Sequence, residues 1–289
     1  MKTNKQSYNK SFLSINQQIK LLKSRGMQFD NQKEAKHYLS NISYYRLSGY
    51  WLIFQQNQNS HKFKINTKFD DVLNIYIFDR ELRLLVLDAI ERIEVSIRSK
   101  MAYYLSKKFG TFALLKPEIF YSPIKYAKTL TKLKSEIDRN DKELFLKHFK
   151  DKYIEELPPI WTCIEVMTMG QISYWYSNIK DRTHRQNVAK YYNLDEKILC
   201  SFLHHLTIVR NTAAHHSRLW NKKFTVDFIL PKIPISLHSE FNQNTKKNLY
   251  NTLVMCEYLM KKINKDSQWK KRLDDLITKH NIDKTKMGY

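Results

Sequence analysis

FDRELRLLVLDAIERIEVSIRSKMAYYL, residues 78–105, is the stretch that decides the fold. Its apolar residues recur every three or four positions, in the series Leu82, Leu85, Ala89, Ile93, Ile97, Met101 and Leu105. That spacing places one apolar stripe along a helix. We predict a helix from Asp70 to Phe109, which Gly110 would terminate.

Shorter patterns of the same kind lie on both sides of this stretch. After it we predict helices over 124–149, 161–178, from Asp195 as N-cap to at least Arg218, 245–263 and 266–280. Before it, one helix stops at Gly26, and a second, capped by Asp30 or Asn31, runs toward Tyr44. Only five Gly and six Pro interrupt the 289 residues. Amphipathic helices joined by loops predict an all-α bundle.

The chain carries 50 Lys and Arg residues against 28 Asp and Glu residues, a formal net charge of +22. Such an excess favours a polyanionic partner, of which nucleic acid is the commonest. A lysine-rich surface that only keeps the protein in solution would give the same charge. Nucleic-acid binding and simple solvation therefore stay open as alternatives at this point.

The three cysteines, Cys163, Cys200 and Cys256, are an odd number at wide spacings, which fits neither a disulfide framework nor a zinc site. Buried thiols in a reducing compartment fit them best. The first twenty residues lack the apolar core of a signal peptide, and no apolar run reaches transmembrane length. We expect a cytoplasmic protein without a membrane partner.

LHHLTIVRNTAAHHSRLW, residues 203–220, concentrates four of the ten histidines. At about 100° per residue, His204, Asn211 and His215 fall within about 20° of one line on a helix, with Arg218 close by. Arg210 points about 140° away from His215 and lies about 7.5 Å from it along the axis. They could meet at one phosphate only if the Arg side chain wraps round the helix, or if a second protomer faces it across a two-fold axis.

An arginine and a histidine suit the cleavage of RNA without metal. Histidine titrates near neutrality and can move the 2′-hydroxyl proton, while guanidinium binds phosphate oxygens and stays charged. The nucleophile would be the 2′-hydroxyl of the substrate, so DNA is not expected as a substrate. An Arg with a nearby His is also common in purely structural settings. A metal site is not expected, because His204 and His215 lie about 16 Å apart along a helix; no cofactor is expected either.

Four stretches of the chain together carry a wider signal: YYRLSGYW at 44–51, FDRELRLLVLDAIERIEVSIRSKMAYYL at 78–105, LPPIWTCIEVMTMGQISYWY at 157–176 and RNTAAHHSRLWN at 210–221. With them the chain resembles the Abi-like (abortive infection) proteins of bacteria, within the wider HEPN superfamily. The resemblance implies an all-α HEPN-like helical bundle with additional N- and C-terminal helices, and a homodimer with a composite site. It also implies a metal-independent endoribonuclease used in antiviral defence against phage or as a toxin.

In that superfamily a His follows an Arg after four to six residues, and the pattern falls here on Arg210 and His215. These are the catalytic candidates; the supporting candidates are Asn211, His216, His204, Arg218 and Glu94. Some HEPN proteins carry a Tyr two residues after the His that a partner nucleotidyltransferase modifies, and Ser217 in that place disfavours this subtype. Other members keep the fold as a binding module. The alternative function is thus an inactive basic module that sequesters, or is bound by, a cognate small noncoding RNA, as in a toxin-antitoxin pair.

Two further groups have both a structural and a functional interpretation. Glu94 and Arg98 form an i, i+4 pair that is more often a structural salt link, although Glu94 could orient Arg210 across the bundle. The aromatic residues could stack on bases, but we favour the core for all of them: Tyr44, Tyr45, Tyr50, Trp51, Trp161 and Trp175.

The chain shows no internal repeat and no low-complexity linker. We divide it into an N-terminal helical extension at 1–66, the HEPN-like bundle at 67–230 and C-terminal helices at 231–289 that pack on the same domain. The last boundary rests on the break PKIPIS at 231–236.

Overall fold

The computed structural model of the chain describes residue 7, residues 10–57 and residues 59–289. Much of the polar N-terminal lead, with which the predicted 1–66 extension begins, lies outside these residues. Over the described ranges the chain forms thirteen α-helices, a few 3₁₀ turns and no β-strand. The predicted all-α class is confirmed. None of these helices combines the length and the apolar character needed to cross a bilayer.

The chain divides into two compact units, and the first is Met1–Arg80. It contains three complete helices and the start of a fourth: α1 (Ile15–Ser24), α2 (Gln32–Ile42), α3 (Tyr44–Trp51) and α4 (Phe69–Phe109). Gly26 lies at φ +94 after α1, a left-handed conformation that glycine adopts without strain, as the predicted stop requires. Asn31 caps α2 by accepting hydrogen bonds from the backbone of Lys33 and Glu34.

The second unit, Glu81–Tyr289, contains the rest of α4 and nine further helices. These are α5 (Pro123–Arg139), α6 (Leu144–Lys152), α7 (Ile160–Cys163), α8 (Met169–Asn178), α9 (Arg182–Ala189), α10 (Glu196–Ala214), α11 (Ile235–His238), α12 (Leu249–Ile263) and α13 (Trp269–Lys279). All seven apolar residues of the predicted α4 stripe are buried. The helix on which the fold prediction rests is confirmed, and its stripe forms the core of this unit. The predicted domain boundaries and the HEPN-like architecture stay predictions.

Two of the predicted helices are each divided in the structure. The helix predicted over 124–149 is α5 followed by α6, and the helix predicted over 161–178 is α7 followed by α8. At the second break, the Thr168 hydroxyl accepts from the Gln171 backbone N–H, and the Gln171 side chain accepts from the Thr168 N–H. This capping box starts a new helix, since it satisfies backbone donors that a continuous helix would have satisfied within itself.

The aromatic residues divide between core and surface. Tyr50, Trp51 and Trp175 are buried as predicted. Tyr45 and Trp161 are exposed, so the prediction of a core position is wrong for these two side chains. Both lie in the first turn of a short helix, where one face packs and the other meets solvent.

The three cysteines are free thiols in the structure. Cys163 and Cys256 are buried, and burial raises the pKa of each thiol to about 12. A thiol of that pKa is protonated at neutral pH and is a poor nucleophile. These two residues therefore fill the core.

Candidate active site

The residues predicted to carry chemistry lie on α10 and just after it. The Asp195 side chain caps this helix by accepting a hydrogen bond from the Lys197 backbone N–H, as the sequence predicts. The apolar face of α10 is buried through Leu199, Phe202, Leu203, Leu206, Val209 and Ala213. The opposite face is solvent-exposed, and His204 and Asn211 lie on it.

The helix ends earlier than predicted. It stops at Ala214, His215 is the C-cap residue and His216 has φ +56. The His216 N–H donates to the Ala213 carbonyl (3.0 Å) and the Ser217 N–H donates to the Thr212 carbonyl (2.9 Å). This pair of bonds is a Schellman motif, which satisfies the last carbonyls of a helix.

The early end removes Arg218 from the predicted polar stripe. Once the chain turns at His216, residues 217–219 are no longer helical, and the prediction that the helix reaches Arg218 is wrong. Leu219 and Trp220 follow directly and are buried. Burial of these two large apolar side chains favours the turned conformation of the chain after α10.

Arg210 lies at the edge of the buried face of α10 and is half-buried. Its guanidinium donates to the Asn211 side-chain oxygen at 3.3 Å. This acceptor is a neutral amide, so the contact itself brings no negative charge to Arg210. Arg210 also lines a surface groove of about 460 Å³ against α4.

The α4 wall of this groove contains Glu94, the predicted orienting residue. Its carboxylate forms an ion pair with Arg98, which also donates to the backbone carbonyls of Glu165 (3.2 Å) and Met167 (2.6 Å). The salt link between Glu94 and Arg98, which their i, i+4 spacing predicts, is therefore present. The groove brings Glu94 to the same surface as Arg210, while an orienting role for Glu94 stays a prediction.

Apolar side chains on α4 border the same groove, and sequence analysis did not single them out. Leu84 is 60% exposed and Val95 is 53% exposed, and Leu87 lies between them. The signal was present in the sequence, because these residues recur at helical spacing on the otherwise polar face of residues 78–105.

The histidines of α10 separate into different environments. His204 is exposed but lines another groove, between α8 and α10, and does not line the one beside Arg210. His205 is buried: its Nδ1–H donates to the Val226 carbonyl (2.7 Å), and its Nε2 accepts from the Thr252 hydroxyl (2.8 Å). Burial lowers the pKa of His205. A neutral, fully hydrogen-bonded imidazole of this kind is part of the core.

Four of the predicted residues, Arg210, Asn211, His215 and His216, lie in the last five helical positions of α10 and in its cap, and we call them the cluster at the end of α10. Three of them are exposed and Arg210 is half-buried. The cluster contains one guanidinium and two imidazoles, side chains that suit binding of a phosphodiester and transfer of a neighbouring hydroxyl proton near neutrality. Within the described ranges, no three His, Cys, Asp or Glu side chains lie close enough together to hold a metal ion.

Comparison with known proteins gives one match. A family model described as Abi-like protein matches residues 37–221, which is more than half of the chain and includes the whole of α4 and α10. No curated protein and no solved structure matches.

Proposed function

Because the chain belongs to the Abi-like protein family, we propose that it acts in an abortive-infection response, and that it does so as a metal-independent endoribonuclease of the HEPN type. The observation that carries the proposal is the cluster at the end of α10. The Arg210 guanidinium donates to a neutral amide, and His215 lies exposed at the helix cap. The net charge of +22 supports RNA as the partner.

In the proposed reaction His215 takes the proton of the RNA 2′-hydroxyl or donates a proton to the leaving 5′-oxygen. Arg210 binds the phosphate and stabilises the negative charge that grows on it in the transition state. Asn211 holds the guanidinium in place. The 2′-oxygen attacks the neighbouring phosphorus as the bond to the 5′-oxygen breaks, so the products are a 2′,3′-cyclic phosphate and a 5′-hydroxyl.

The proposed active form is a homodimer in which Arg210 of one protomer works with His215 of its partner. Two observations support it. Arg210 and His215 lie five residues apart, which places them on different sides of one helix end. The exposed Leu84 and Val95 beside Arg210 provide an apolar surface next to the cluster, and such a surface is typical of an interface between copies.

The test is cleavage of single-stranded RNA by the purified protein in EDTA. We expect wild-type protein to produce cyclic-phosphate ends, and both His215→Ala and Arg210→Ala to lose about a hundredfold or more of the rate. His148→Ala, which removes an exposed imidazole from α6, is the control and should cleave at the wild-type rate. Equal rates for wild type and His215→Ala would contradict the proposal, and so would cleavage of DNA of the same sequence.

The second candidate is a binding module that sequesters, or is bound by, a small RNA without cutting it. The charge of +22 favours it as much as it favours the enzyme. Affinity alone does not separate the two, since both predict RNA binding that weakens with salt. RNA that is bound tightly and recovered intact in the assay above would support this module and contradict the ribonuclease.

A further inference from the structure

A second groove lies between α8 and α10, on the side of α10 that carries His204, and has a volume of about 620 Å³. Two tyrosines line it: Tyr121, which is 59% exposed, and Tyr174 on α8, which is 37% exposed. Large aromatic side chains left open to solvent at a concave surface are typical of sites that bind planar ligands.

Two contacts fix Tyr121, one of them with Arg185, which also lines the groove. The guanidinium of Arg185 lies 5.7 Å from the centre of its ring, and its backbone N–H donates to the Asn178 carbonyl at 2.9 Å. Arg185 is itself fixed, because it donates to the Glu196 carboxylate (2.7 Å) and to the Ile179 carbonyl. A ring that is already ordered loses little entropy when a second ring stacks on it.

The charges that line the groove suit an anionic strand. Lys197 and His204 are exposed on α10, where they can contact phosphate oxygens. Glu196 is the carboxylate among the lining residues of the described chain, and it is buried against Arg185 and Arg182. Its negative charge is compensated from within the protein, so the exposed lining is net basic.

The groove ends next to the proposed cleavage site. Thr207 lines it and precedes Arg210 by three residues on α10, a rise of about 4.5 Å along the axis. We infer that this groove is a nucleotide subsite: it holds one unstacked base of the single-stranded RNA against Tyr121 and Tyr174, with the adjoining phosphates on Lys197 and His204. The inference rests on the proposed function, because it assigns the strand held at Arg210 to this groove.

The experiment measures the affinity of a fluorescent single-stranded RNA of about ten nucleotides in the His215→Ala background, in EDTA, so that the RNA stays intact. Tyr121→Ala and Tyr174→Ala should each weaken binding by about tenfold, because stacking contributes that much per base, whereas Tyr121→Phe and Tyr174→Phe should bind like the parent. Tyr191→Ala is the matched control. Tyr191 is exposed and the Lys100 Nζ lies 4.7 Å from the centre of its ring, but it does not line the groove. It should change affinity less than twofold.

A second arm separates a held base from a general loss of affinity. An RNA that lacks the base held in the groove should bind the parent about tenfold more weakly than intact RNA does. The Tyr121→Ala/Tyr174→Ala variant has no stacking partners left, so it should bind the abasic and the intact RNA equally. Binding of every tyrosine variant at parental affinity, with parental melting temperatures, would overturn the subsite. A mononucleotide that binds as tightly as the RNA would overturn the assignment to a strand.

These outcomes are independent of the ribonuclease test. Tyrosine-dependent binding of RNA that the wild-type protein never cuts would support the subsite and contradict the enzyme. Cleavage that depends on His215, together with unchanged RNA binding in the tyrosine variants, would support the enzyme and contradict the subsite.

Discussion

His216 carries a β-carbon at a backbone position that favours glycine. Its φ of +56 places it in the left-handed region, at the point where the Schellman motif closes α10. A non-glycine residue in that conformation costs about 1 kcal/mol. The imidazole is thus presented beside His215 at some expense in stability, a pattern that is typical of functional positions.

The strain can be measured by comparing two variants that both lack the imidazole. We expect His216→Gly to have a free energy of unfolding about 1 kcal/mol higher than that of His216→Ala, because any contact of the imidazole is lost in both and only the backbone preference differs. Urea denaturation followed by circular dichroism gives the comparison. Equal stability of the two variants would show that residue 216 is not strained.

At this scale the sequence located the exposed face of α10 but not the residue at which the helix ends. Helical spacing correctly placed His204 and Asn211 on an exposed face. It did not show that the helix stops at Ala214, because neither Gly nor Pro marks the turn and His216 adopts the left-handed conformation instead. The burial of Leu219 and Trp220 that accompanies the turn is a tertiary effect, which local spacing does not contain.

Arg98 connects α4 to the segment before α8. It is 16% exposed, pairs with Glu94 and donates to two backbone carbonyls. We expect Arg98→Met to lower the free energy of unfolding by about 2–4 kcal/mol, because it leaves a mostly buried carboxylate and these carbonyls without their donor. Chemical denaturation measures the change.

Arg92→Met is the matched control on the same helix. Arg92 also follows an acidic residue by four positions, but it is 48% exposed, and its partner Asp88 keeps a second ion pair with Arg272. A loss below about 0.5 kcal/mol is expected for this pair at the surface. Equal losses of unfolding free energy in the two variants would show that burial does not determine how much these ion pairs stabilise the protein.

The sequence predicted the extent of the long helix α4 better than it predicted the breaks between shorter helices. The seven apolar residues of the α4 stripe follow one another at intervals of three or four residues, and all of them are buried. The break before α8 was readable in the tetrapeptide TMGQ at 168–171, where Thr and Gln have the spacing of a capping box. The break between α5 and α6 falls at residues 140–143, where Asn140 and Asp141 disfavour a helix interior but neither Gly nor Pro marks a stop.

The proposed dimer makes a prediction about pairs of chains. When Arg210→Ala and His215→Ala protomers carry different tags and are purified as a heterodimer, one composite site keeps both residues and the other keeps neither. We expect such a heterodimer to cleave RNA at about half the wild-type rate, although each variant alone is inactive. The rate is measured in EDTA, as for the single variants.

The matched control pairs a wild-type protomer with one that carries both substitutions. Each composite site then lacks one residue, so this heterodimer should be inactive. A site completed within one protomer would give the reverse pattern, with the control active and the first heterodimer inactive. Inactivity of both would show that the proposed pairing of Arg210 with His215 is wrong.

For the whole molecule, the sequence predicted the fold class and the family. Helix-forming composition and apolar spacing gave the all-α class, and the four quoted stretches led to the family that matches residues 37–221. The groove between α8 and α10 was not predicted, because Tyr121 and Tyr174 are 53 residues apart and only the packing of the loop before α5 against α8 brings them to one surface.

One helix supplies residues to both grooves. Since α10 is a continuous 19-residue helix, its positions in the groove between α8 and α10 and the residues at its end keep a constant separation. Under the proposed function α10 acts as a ruler. If the inferred subsite holds a base against Tyr121 and Tyr174, the cut would fall at a constant number of nucleotides from that base, whatever the intervening sequence. Mapping of the product ends would give that offset directly.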